Sequence, residues 1–419
     1  MTSSTRCKCL CLAWMLLLCG SVCDAQTTAR PSGGAPPTPS SAQAMPASDP
    51  DRQHAIELFN AGKFVDAMPL FEKLAADHPE DAALKAQWAF AMSAYAATLT
   101  DADLRKKARI RARSIGLQAQ KQGNNGPMVQ IVLQIPEDGS EPAFSDRKGA
   151  DEAMHGAEAD FARGDLDKAR EGYLRALLID PKNYAAALFI GDVYFKQKVY
   201  GSAGEWFAKA IEIDANRETA YRYWGDALVQ LGKSGEAREK YINAVIADPY
   251  NRTSWAGLNN WAQTSKLSLN WIRLQDRVKL DESDPAHINV DVDPSLEKGS
   301  ANELAWTSYG MTRATWRVAF SKRFPKEPTY RHTMQEEFES LTVMVRVLKD
   351  EKDQSKLKDL DPAIQSVIKI QEAGFLEPFA LLNRADKEIA SDYEPYRAAH
   401  RDTVYRYFDE YVVPKAPSN

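Results

Sequence analysis

The stretch HRDTVYRYFDEY, His400 to Tyr411, gathers one histidine, two arginines, two aspartates, one glutamate and three tyrosines. A histidine next to an aspartate can move protons, and a His-Arg-Asp order can aim a carboxylate at a hydroxyl during phosphoryl transfer. That chemistry also needs an asparagine five residues after the aspartate to hold metal. Tyr407 stands there instead, and no glycine-rich phosphate loop occurs elsewhere. What remains is helical: His400, Val404, Tyr407 and Tyr411 recur at spacings of 4, 3 and 4. The stretch therefore reads as a closing helix, with His400 expected at its core edge. A second constellation, His332 and Glu336 in HTMQEE, has the i, i+4 spacing that presents two ligands to one metal, and His400 and Asp402 could complete it. There is no second histidine in HExxH register and no nucleophile elbow, so no catalytic residue, metal or cofactor is expected.

The elements that must position these residues begin after an unusual N-terminus. Arg6 and Lys8, the apolar run LCLAWMLLL and a small residue at Ala25 have the layout of a secretory signal peptide, residues 1–25. All five cysteines (Cys7, Cys9, Cys11, Cys19, Cys23) precede Ala25, so cleavage there would leave no disulfide or thiolate site. The alternative is a lipid anchor on Cys23. Export to the periplasm or medium is the expectation. Residues 26–48, rich in Pro, Ser, Ala and Gly, read as a disordered tether. Removing residues 1–25 takes away Arg6, Lys8 and Asp24 and leaves 51 basic against 57 acidic residues. That mildly acidic balance argues against nucleic-acid partners, and no later stretch is long and apolar enough to span a membrane.

Beyond the tether the chain repeats itself. Ala169, Ala203 and Ala237 are 34 residues apart, as are Tyr173, Phe207 and Tyr241, then Ala176, Ala210 and Ala244, and Pro181, Ala215 and Pro249. Gly62, Ala67, Phe71 and Pro79 hold the same relative positions upstream. Such a period with small residues at set places marks stacked helix pairs. With the motif stretches FARGDLDKA, FIGDVYFKQKVYGSA and WGDALVQLGKSGEA, the chain resembles the tetratricopeptide-repeat family over 150–183, 184–217 and 218–251, and more distantly at 48–81. Residues 82–126 read as a degenerate repeat, and RTSWAGLNNWAQTS as a capping helix.

The resulting expectation is an all-α chain, a repeat solenoid followed by a C-terminal helical unit, with a few short strands in insertions. The divisions are 49–127 for the N-terminal repeats, 128–149 for an insertion with a strand, and 150–266 for three repeats and a cap. An irregular junction with strands (267–300), the C-terminal unit (301–413) and a tail (414–419) follow. VQIVLQIP (129–136), HINVDVDP (287–294) and LSLNWIRLQ (267–275) are the strand candidates, the first two expected to pair. In the C-terminal unit, Met334, Phe338, Leu341, Val345 and Leu348 form one apolar stripe, and Asp361-Pro362 and Gly374 bracket another helix.

The resemblance implies a concave groove that binds protein or peptide. Its lining positions map to Met154, Glu158, Phe161, Leu188, Asp192, Phe195, Arg222, Asp226 and Val229. Glu158, Asp192 and Asp226 form an acidic column beside apolar residues, suiting a basic or amphipathic segment, unless they are used in local pairs such as Arg222–Asp226 and Asp192–Lys196. Arg105, Arg109 and Arg113 form a basic helix stripe, either solvated or docked on an anionic surface. Trp255, Trp261, Trp271, Trp306 and Trp316 crowd the junction and read as a packing interface. The function expected is that of an exported, non-enzymatic scaffold for protein interaction in the cell envelope. The alternative is a hydrolase or metal-dependent enzyme in the C-terminal unit, with the repeats as substrate adaptor.

Overall fold

The computed structural model describes residues 49–281, 288–327, 329–351 and 357–415, so the leader, the tether and His287 lie outside the described part. The described residues are all-α apart from one two-stranded ribbon. The chain divides into two compact units, one ending at Ile213 and the other beginning at Asp214.

The first unit holds α1 (Pro50–Asn60), α2 (Phe64–Asp77), α3 (Ala82–Thr98), α4 (Ala102–Lys121), α5 (Pro127–Val132), α6 (Lys148–Arg163), α7 (Leu166–Ile179), α8 (Tyr184–Lys196) and α9 (Tyr200–Ile213). Short polar residues start several of these helices. Asp101 accepts from the Leu104 N–H at 2.9 Å, and Asn183 accepts from the Ala186 N–H at 3.0 Å. Gly164, in the left-handed region at φ 86°, ends α6. Phe59, Phe64, Phe71 and Phe90 fill the space among α1, α2 and α3, with Phe59 and Phe64 edge to face at 4.9 Å.

The repeat glycines set how closely the paired helices approach. A Cβ on Gly191 would sit 2.5 Å from the Phe207 ring, so the ring of α9 seats directly on the backbone of α8. In the preceding pair Ala157 stands at the corresponding place, and the missing carbon is moved across the interface to Gly172, whose added Cβ would meet the Ala157 Cβ at 2.7 Å. Tyr173 then reaches the next pair, edge to face with Phe189 at 5.5 Å.

The stretch 129–136, expected as a strand, is helical: α5 followed by a turn. Gly126 and Pro127 open it in the manner of a helix start, and Val129, Val132 and Ile135 bury one side at a spacing of three. Gly116 on α4 leaves room for Val132, so packing overrides the β preference of the branched residues. The expected pairing with the later strand is accordingly wrong.

The second unit holds α10 (Glu218–Gln230), α11 (Ser234–Ala247), α12 (Arg252–Thr264), β1 (Val278–Asp281), β2 (Asn289–Val292), α13 (Ala301–Arg323), α14 (Met334–Asp350), α15 (Pro362–Glu372), α16 (Leu376–Asn383) and α17 (Tyr393–Tyr407). A 3-10 turn (Ile389–Asp392) precedes α17 and a π turn (Phe408–Val412) follows it. β1 and β2 are antiparallel with Val278 opposite Val292 and Leu280 opposite Val290. Residues 267–275, a strand candidate, form no strand. Their backbone is instead held at intervals: the Asn270 N–H donates to the Val412 carbonyl at 2.8 Å, and Asn383 donates to the Ile272 carbonyl at 3.1 Å.

One core runs through this whole unit. Tyr241, Ile242, Val245 and Ile246 of α11 and Leu258 and Trp261 of α12 pack in the same cluster as Trp306, Leu341, Phe379, Val404 and Phe408. Trp255 and Trp271 join its edge, meeting edge to face at 5.4 Å, while Trp316 packs separately with Phe320 and Phe324. Three arginines fasten the C-terminal elements to the third repeat. Arg238 donates to Val413 and Pro414 carbonyls and pairs with Asp409, Arg397 donates to the Ala247 carbonyl, and Arg401 donates to the Ala215 carbonyl.

Candidate functional site

The nine groove positions are mostly not on the surface. Met154, Phe161, Leu188, Asp192 and Arg222 are buried; Glu158, Phe195 and Asp226 are half-buried; of the nine only Val229, at 44%, is exposed. Repeat spacing predicts which side of a helix a residue occupies but not how far its neighbours close over it.

The acidic column proves to be part of the helix pairing. The Tyr173 hydroxyl on α7 donates to the Glu158 carboxylate on α6, and fifteen residues apart again, the Tyr241 hydroxyl on α11 donates to Asp226 on α10 at 2.7 Å. Burial pushes the Glu158 carboxyl up to about 7, against the pull of the Tyr173 hydrogen bond. Burial likewise raises Asp226, against Tyr241 and Arg222. Both carboxylates are thus engaged between the paired helices rather than presented as an open acidic column. The pairs anticipated from helical spacing also differ. Arg222 donates to Glu218 at 3.0 Å, one turn before it, and the Lys196 ammonium lies over the Phe161 ring at 4.7 Å.

The basic stripe of α4 is structural. Arg105 donates to Glu141 at 2.8 Å and Arg109 to the carbonyls of Gly139 (3.0 Å) and Ser140 (2.9 Å). Arg113 donates to the carbonyls of Leu133 and Ile135. Arg109 and Arg113 thereby satisfy carbonyls of the irregular segment 133–141, which has no ladder of its own, while Arg105 holds that segment through the Glu141 side chain. The stripe is neither a solvated face nor one left open for anionic head groups.

The densest polar group in the second unit surrounds His332. Its Nε2 lies 3.1 Å from Glu337 Oε2 and its Nδ1 lies 2.8 Å from Asp386 Oδ2. Arg384 donates to Glu337 at 2.8 Å, the Tyr309 hydroxyl donates to the same carboxylate at 2.7 Å, and Arg313 donates to Glu336 at 3.0 Å. Glu336 and Glu337 are both 0% exposed. Burial pushes the Glu337 carboxyl up, but Arg384, His332 and Arg313 together hold it at about 2. Burial raises Glu336, which Arg313 and His332 offset only in part.

With a carboxylate within hydrogen-bond distance of each ring nitrogen, His332 is engaged at both and presents no free nitrogen to a metal ion. His400 and Asp402 do not join it. Both are exposed on α17, where His400 stacks on Tyr396 at 4.6 Å and breaks the helical backbone at φ −130°. His400 is therefore not at the core edge, although Val404 and Tyr407 of the same stripe are buried as expected. The His332, Glu336, His400 and Asp402 constellation does not form, and its histidine–carboxylate half is a closed joint between α13, α14 and the turn before α17.

Antiparallel helix pairs with small residues and one aromatic at a fixed 34-residue interval define a helical-repeat solenoid. Residues 156–218 match the tetratricopeptide repeat family model, so the chain carries tetratricopeptide repeats over that stretch. No curated protein is similar enough to match it. Among solved structures, the first TPR of Spaghetti (RPAP3), bound to the HSP90 peptide SRMEEVD, is 23% identical over 29% of this chain and 96% of its own, with a TM-score of 0.27. A thermophilic TPR protein of Thermus thermophilus is 15% identical over 51% of this chain and 97% of its own, also at 0.27. The C-terminal part of a TPR repeat-containing protein from Cytophaga hutchinsonii is 12% identical over 81% of this chain and 98% of its own, at 0.27. The repeat assignment over 156–218 rests on that match and on the helix packing described above.

Proposed function

We propose that the chain is an exported, non-enzymatic scaffold that holds a peptide or protein segment on the inner-helix face of its repeats. The observation that supports this most is the composition left accessible on α6 and α8: half-buried Phe195 and the Lys196 ammonium over the Phe161 ring at 4.7 Å, with the Glu158 carboxylate taken up by the Tyr173 hydroxyl. That face suits an apolar or amphipathic segment. The basic preference read from the acidic column loses its ground, because Asp192 is buried and Glu158 and Asp226 are occupied by tyrosines. The basic–apolar–small pattern of residues 1–25 supports export, and the intact mass of the mature protein should be that of a chain beginning at Gln26 or its pyroglutamate form. A blocked, acylated Cys23 would instead establish the lipid anchor. A photocrosslinker at Phe195 should capture a partner from envelope extracts that the outer-helix positions Lys209 and Lys240 do not. Equal capture from all three would end the groove reading.

A further inference from the structure

The helix α13 is covered on two sides. Trp306 and Tyr309 face the core, and on another side Val278 and Val290 of the ribbon close against Gly310, where an added Cβ would meet Val290 at 2.6 Å. Its remaining face carries Leu304, Met311 and Val318, which are 38%, 59% and 56% exposed. Single exposed apolar residues are ordinary, but three at successive seven-residue steps make the seam by which helices pack on one another. The seam spans roughly 21 Å at about 1.5 Å per residue. Thr307, Ser308 and Thr315 lie between its large residues.

The pattern is symmetric about Met311. Leu304 lies seven residues before it and Val318 seven after; Thr307 lies four before and Thr315 four after. An antiparallel second α13 related by a twofold axis at Met311 would set Met311 on itself, Leu304 on Val318 and Thr307 on Thr315. Glu303 sits toward the N-terminal end and Lys322 toward the C-terminal end. The antiparallel arrangement brings Lys322 within about one turn of Glu303 of the second copy, whereas a parallel one would bring like charges together. We propose that this face of α13 is the interface between two copies of the chain. Four helical turns cover less than the roughly 1,200–2,000 Å² of a stable interface, so the dimer is weak and dependent on concentration.

The test is sedimentation equilibrium of the full chain, with cysteine pairing as its geometric check. The apparent mass should rise from one chain toward two as concentration increases. Met311→Asp should return it to one chain with an unchanged far-ultraviolet spectrum, since the Met311 side chain is 59% exposed and the carbonyl that Thr315 uses is kept. With the five native cysteines changed to serine, Met311→Cys should oxidise to a covalent dimer, Val318→Cys alone should not, and Leu304→Cys with Val318→Cys together should. A chain that stays monomeric at the highest soluble concentration, or Val318→Cys crosslinking as fast as Met311→Cys, overturns the proposal. The second outcome would point to random collision or a face meant for another protein.

Discussion

At the scale of residues, the chemistry that looks catalytic is used to hold elements together. His332 lies between two carboxylates, so only the doubly protonated ring satisfies both Glu337 and Asp386. Burial is the largest single influence and lowers its proton affinity, as does Arg313, but the Glu337 hydrogen bond and the Glu337 and Glu336 charges together outweigh them and the net direction is upward. A histidine whose folded value is raised adds stability that is fully present below its ordinary value of 6.5 and is lost as pH rises through the raised one. His332→Gln should therefore cost about 1.5–3 kcal/mol at pH 5.5, the worth of a charge-assisted hydrogen bond. That difference should shrink toward pH 8.5. Urea denaturation of parent and variant across that range measures it, and a difference that does not change with pH would mean the ring is not protonated in the fold. Sequence spacing placed His332 and Glu336 on one helical turn, but Asp386 and Arg384 arrive from a distant segment that no local pattern connects to them. The acidic column is a different kind of miss. Its explanation was present in the sequence as a tyrosine fifteen residues after Glu158 and after Asp226, with Phe207 in the middle repeat lacking the hydroxyl.

At the scale of elements, the repeat reads clearly because its spacing is a packing constraint. Gly191 and Gly225 carry the Phe207 and Tyr241 rings at distances that leave no room for a methyl group, while nothing lies within 4 Å of a Cβ on Gly156, in the middle of exposed α6 helix surface. These two environments make opposite predictions for the same substitution. Gly191→Ala should destabilise the first unit by about 1–3 kcal/mol through overpacking. Gly156→Ala should stabilise it by roughly 0.5–1 kcal/mol through helix propensity. Thermal melts of the two variants decide the matter, and equal shifts in one direction would mean the ring does not seat on α8 as described. The 129–136 segment was misread for the complementary reason. Its branched residues favour a strand locally, but Gly126-Pro127 starts a helix, and the buried positions Val129, Val132 and Ile135 need a three-residue spacing that only a helical turn supplies. Arg109 and Arg113 then satisfy carbonyls that follow, and Arg105 pairs with the Glu141 carboxylate, which no count of charges could have indicated.

At the scale of the whole molecule, the family motif and the compact units disagree about where the chain divides. The motif marks three equivalent repeats, because each records how two adjacent helices approach. Which helices then share a core depends on the surfaces they turn outward. The third repeat and its capping helix differ there: Ile242, Val245 and Ile246 of the repeat and Trp261 of the cap are apolar where a free solenoid end would be polar, and they pack in one cluster with Trp306, Phe379, Val404 and Phe408. A fragment beginning at residue 267, the boundary the motif suggests, therefore loses Tyr241, Ile242, Val245, Ile246, Leu258 and Trp261 from its core. At about 1.5–3 kcal/mol for each large apolar side chain, that loss is comparable to the roughly 5–15 kcal/mol of a whole domain. The fragment should aggregate or bind a hydrophobic dye without a cooperative melt. A fragment beginning at Asp214 keeps that cluster together with Arg238, the Ala247 carbonyl that Arg397 uses and the Ala215 carbonyl that Arg401 uses. It should melt in a single sharp transition by calorimetry. If the shorter fragment melts as cooperatively as the longer one, the C-terminal helices form a domain of their own and the third repeat belongs with the other two.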